Sequence, residues 1–76
     1  MKRLPDMFGF RKARAALRLH EANRAFIKAR ADRLRAEIRR DTRAMHATGT
    51  ALRKARTEQV AAELAYAAVT SKPLHA

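Results

Sequence analysis

The chain has no cysteine and no tryptophan, two glycines, two prolines, and seven acidic residues against 18 lysines and arginines. Each shortage excludes something. Without cysteine there is no disulfide and no thiolate metal site, and the redox compartment stays undetermined. The four aromatics, Phe8, Phe10, Phe26 and Tyr66, form no paired motif of the kind that stacks RNA bases. No apolar run approaches the roughly 18 residues needed to span a bilayer. No apolar stretch follows Lys2 and Arg3, as a secretory signal would require. Residues 7–20, MFGFRKARAALRLH, are acid-free and arginine-bearing like a mitochondrial presequence, yet they lack serine and continue without a break into the next segment. An intracellular location is expected, with an organellar one as the alternative.

Catalytic chemistry is missing too. His20, His46 and His75 lie far apart without metal-ligand spacing, and Ser71 is the single serine. No phosphate-binding glycine loop, nucleophile elbow or carboxylate pair occurs. The expectation is no enzyme, no cofactor and no metal.

What is present is positive charge, in helix-forming sequence. The formal net charge is +11 over 76 residues, and residues 1–43 hold 14 of the 18 basic side chains. Such an excess in a small chain points to a polyanionic partner: nucleic acid, an anionic membrane or an acidic protein surface. A chain this short buries only roughly 60% of its unfolded surface, so alone it should be partly folded and dependent on a partner.

The pattern predicts an all-α fold with no sheet: a long basic amphipathic helix, then a shorter alanine-rich one, as a hairpin or bent pair. The expected divisions are a lead at 1–9, in which Asp6 could cap the helix, a long arginine-rich helix at 10–46, a break at 47–50, a second helix at 51–70, and a tail at 71–76. Gly49 suits a helix end and Thr50 the next N-cap. A competing heptad (Met45, Thr48, Leu52, Ala55, Gln59, Ala62, Tyr66, Val69) would support one unbroken helix. Gln59 in its seam and the stronger Val60, Leu64, Ala67 stripe favour the break.

In the first helix, Phe10, Ala13, Leu17, Ile27, Ala31, Leu34, Ile38 and Met45 share one side at steps of three and four. His20 and Arg24 interrupt that stripe. The expected packing residues are Phe8, Phe10, Leu17, Phe26, Ile27, Leu34, Ile38, Met45, Val60 and Leu64, directed at the second helix or at a neighbouring subunit. Arg11, Arg14, Arg18, Lys28, Arg39, Arg40 and Arg43 form the opposite, polyanion-facing side, joined by Arg53, Lys54 and Arg56. Acids at helix-pair spacing (Lys28–Asp32–Arg35 and Arg33–Glu37–Arg40) neutralise part of it.

The function these features imply is a non-enzymatic structural subunit of a large assembly, most simply a nucleoprotein of ribosome-like kind, touching phosphate backbones of RNA. The alternative is a protein–protein strut in a virion or a respiratory-type complex. A helix lying on an anionic membrane surface ranks third, because its apolar stripe is diluted by alanine and broken by Arg24.

Overall fold

The computed structural model describes residues 7–71, with side chains from residue 9. The expected Asp6 cap, the tail beyond Ser71 and the side chain of Phe8 lie outside the described residues. Two helices of nearly equal length make up the structure: α1, Met7–Arg39, and α2, Thr42–Thr70. There is no strand among the described residues. Helix α1 therefore begins at Met7 and contains Gly9.

The break comes earlier than expected, at Arg40 and Asp41. Arg40 adopts a left-handed conformation, with φ at 56°. Its amide donates to the Glu37 carbonyl at 3.0 Å, and the Asp41 amide donates to the Ala36 carbonyl at 3.1 Å. These two bonds complete a Schellman motif that satisfies the last carbonyls of α1. A left-handed arginine costs roughly 1–2 kcal/mol. The next residue offsets that strain, because Asp41 is also the N-cap of α2. Its carboxylate accepts from the Ala44 amide at 3.1 Å, and its carbonyl accepts from the Met45 amide at 2.8 Å. One residue thus ends one helix and starts the other.

Gly49 and Thr50, the expected break, sit inside α2. Thr50 donates its hydroxyl to the His46 carbonyl at 3.2 Å instead of capping anything. Gly49 is buried, and the atoms nearest to where its side chain would begin are the guanidinium ends of Arg33 and Arg53. An alanine methyl at this position would come 2.7 Å from Nη1 of Arg33.

The helices run antiparallel. Arg18 meets Glu58, Asn23 meets Gln59, and Arg33 meets Gly49. The surface between them is made of small residues. Ala22, Ala29 and Ala36 are the buried apolar residues of α1, and Ala36 is only 1% exposed; Ala62 of α2 is fully buried. The spacing of seven along α1 is the mark of one helix following another. Half-buried Ala15, Leu19, Phe26 and Arg33 fill the intervening positions. On α2 the buried and half-buried residues include Met45, Thr48, Leu52, Ala55, Gln59, Ala62, Tyr66 and Val69. The heptad set aside above is therefore the inner face of α2.

The large apolar stripe does not pack on α2. Phe10, Leu17, Ile27, Leu34 and Ile38 are all more than half exposed, reaching 79% at Ile38, and Val60 and Leu64 of α2 also face outward. The reason lies in the interruptions. Turning that stripe inward would also turn His20 and Arg24 inward, and burying a charged side chain is costly. The alanine seam buries no charged group and leaves no buried side-chain polar atom without a partner among the described residues. The hairpin is a thin slab, with backbone extents of 57 × 35 × 13 Å.

Asp41→Ala should lower stability by about 1 kcal/mol through loss of the cap, measured as the midpoint of urea unfolding followed by circular dichroism. Ala62→Leu should cost about 1–3 kcal/mol by forcing the helices apart. Gly49→Ala should do the opposite. It gains roughly 0.5–1 kcal/mol of helix propensity, and the atom it meets is the mobile end of an arginine.

Candidate polyanion-binding surface

The fold distributes cations over the outside of both helices and around the turn. Among the described residues, Arg18, Lys28, Arg33 and Arg35 stand in ion pairs with carboxylates. Arg18 is the one that crosses between helices. Its Nε and Nη2 donate to the two Glu58 carboxylate oxygens at 2.8 and 3.0 Å, a two-pronged geometry that a lysine could not reproduce. That hydrogen bond and the attraction behind it raise the Arg18 pKa and lower that of Glu58. Lys28 donates to Asp32 at 2.9 Å and Arg35 to the same carboxylate at 3.1 Å. Asp32 is held below the usual carboxylate range, chiefly by the Lys28 hydrogen bond.

Arg18 and Lys28, both expected to face a polyanion, are therefore engaged within the hairpin. The other expected positions, Arg11, Arg14, Arg39, Arg40, Arg43, Arg53, Lys54 and Arg56, are exposed and lie outside these ion pairs. Arg14 lies 5.5 Å from the Phe10 ring centre. Arg39, Arg40 and Arg43 gather at the turn, brought together by the Arg40–Asp41 connection. Arg39 suits the negative end of α1, whereas Arg43 sits in the first turn of α2, against that helix's dipole.

Sequence reasoning missed three features. Phe26 lies under two guanidinium groups, Arg30 at 6.0 Å and Arg56 at 5.7 Å from its ring centre. A polar relay runs beside it across the seam. Arg56 donates to the Gln59 side-chain oxygen at 2.7 Å, and the Gln59 amide donates to Asn23 Oδ1 at 2.8 Å. Finally, Arg33 and Arg53 converge over Gly49, with Nη1 atoms 2.7 and 3.9 Å from the point where a side chain would begin. A glycine inside an otherwise helical pattern was the available signal for that last feature.

The cavities are open surface notches. The described residues contain no group of three histidine, cysteine or acidic side chains that could hold a metal ion. None of the helices among the described residues is long and apolar enough to cross a membrane. No protein-family model, curated protein or solved structure matches the chain.

The Arg18–Glu58 link makes a pH prediction. Glu58 has a depressed pKa in the folded state, so its contribution is present above the ordinary glutamate range and is lost as pH falls through the lowered value. Wild type should melt higher than Glu58→Gln at neutral pH, and the gap should close on acidification. A constant gap between the two melting curves at all pH values would show that the pair contributes nothing.

Proposed function

We propose that this chain is a small non-enzymatic helical hairpin that serves as a structural subunit of a nucleoprotein assembly, gripping RNA by its phosphate backbone. The observation that carries this reading is the charge left over after folding. Four arginines and lysines find carboxylates among the described residues, while cations at both ends and along both helices remain on the surface. Clustered surface cations of this kind bind phosphate by counterion release and read no bases, which suits a module with no base-stacking aromatic pair.

A second reading draws on the outward apolar residues. Phe10, Leu17, Ile27, Leu34, Ile38 and Leu64 are more exposed than a solitary hairpin warrants. A neighbouring protein subunit would cover them, and the hairpin would then act as a strut between protein and RNA or between two proteins. The two readings separate by mutation.

Binding to a structured RNA, followed by fluorescence anisotropy, should weaken steeply with salt. A log–log slope of roughly −4 or steeper would correspond to about five neutralised phosphates. Reversing Arg11, Arg14, Arg39 and Arg43 to glutamate should abolish binding, while Ile27→Asp and Ile38→Asp should leave it intact. Tight RNA binding that survives the charge reversal would sink the phosphate reading. Loss of incorporation into the native assembly on Ile27→Asp alone would favour the protein strut.

A further inference from the structure

Close to the turn, α1 and α2 enclose an open notch of about 320 Å³ lined by Arg33, Thr42, Met45, His46, Gly49 and Arg53. Two of the lining residues, Arg33 and Arg53, are cations that approach Gly49. The Arg33 and Arg53 Nη1 atoms fall 2.7 and 3.9 Å from a single point above the Gly49 backbone. Arg33 is paired with Glu37, and among the described residues no acidic side chain lines the notch itself. Glu37 engages Arg33 through Nε at 3.0 Å, and the Nη1 of that guanidinium lies over Gly49. Among the described residues, Arg53 is held by a single weak contact, 3.4 Å to the Thr50 hydroxyl. Both guanidiniums therefore retain N–H donors, and His46 and Thr42 are among the other residues lining the notch.

We infer that the Gly49 notch is an oxyanion site that holds one phosphate group of the RNA backbone between Arg33 and Arg53. A tetrahedral oxyanion has the size and charge for two forked donors approaching from different helices. The glycine lets the Arg33 guanidinium lie over the α2 backbone beside Arg53: a side chain there would begin 2.7 Å from Arg33 Nη1 and 3.9 Å from Arg53 Nη1. This also accounts for a helix-weakening residue in the middle of α2. The site rests on the nucleic-acid reading above for its partner, and adds one fixed point to a surface otherwise described only by charge.

Gly49→Ala is the decisive variant, because its methyl would push Arg33 Nη1 from its place over the backbone, while it keeps every charge and should not loosen the helix. In heteronuclear NMR titration of the full chain with inorganic phosphate at constant ionic strength, wild type should show saturable shifts at His46, Gly49 and Arg53. The alanine variant should lose about tenfold in affinity at those signals. Shifts of equal size at Arg11 and Arg14, unchanged by Gly49→Ala, would overturn the notch and leave only diffuse charge. A second arm uses RNA itself. Arg53→Gln and Arg14→Gln remove the same charge, and the notch requires Arg53→Gln to weaken RNA binding several times more. Equal losses also overturn it. Saturable phosphate binding without any RNA affinity would overturn the RNA assignment and the reading it rests on, while the geometry of the notch would stand.

Discussion

Two helices can lie closely against each other here because the surface between them is built from alanine and glycine. Ala22, Ala29, Ala36, Gly49 and Ala62 are the buried residues, and none brings a large side chain that would hold the backbones apart. Alanine contributes little apolar area per residue, so the seam alone gives modest stability. What it provides instead is proximity. Arg18 can reach Glu58 with both prongs, and Gln59 can reach Asn23, because the intervening methyls keep the helices close. The polar cross-links and the small-residue seam depend on each other.

The same arrangement decides what the outside looks like. Once the small residues are used inside, the larger apolar side chains are left outside, next to an excess of arginine. A chain that places Ile38 and Leu64 in water while burying Ala62 is using its large side chains for something other than its own core. Charge and apolar area are then both directed outward, which suits a component completed by what surrounds it.

How much of this was legible in the sequence can be judged residue by residue. The all-helical pair without a sheet followed from composition and from the scarcity of glycine and proline. Its division did not. Gly49 is a common helix terminator, and it outweighed Asp41, which stands inconspicuously after two arginines and yet caps α2. A glycine can terminate a helix or admit a neighbour, and single-chain periodicity does not distinguish the two. The seam was visible as the heptad through Leu52, Ala55 and Ala62, but Gln59 argued against it. Its partner Asn23, which satisfies that amide, lies 36 residues away. On α1 the buried alanines were overlooked because the larger residues made a more conspicuous stripe. That stripe contains Arg24, and its position there should have counted for more. Most of the cations are exposed, and the cross-helix engagement of Arg18 needed the fold to be seen.

The slab is only 13 Å through its thinnest dimension. Screening in salt extends about 8 Å at physiological ionic strength and about 30 Å at 0.01 M. At low salt the cations on one broad side therefore act on a polyanion docked against the other, and the hairpin behaves as a single rod of charge with no preferred side. As salt approaches physiological levels the two sides become electrically independent. Orientation is then set by local geometry, so the ionic strength of the medium determines whether this molecule has a front and a back.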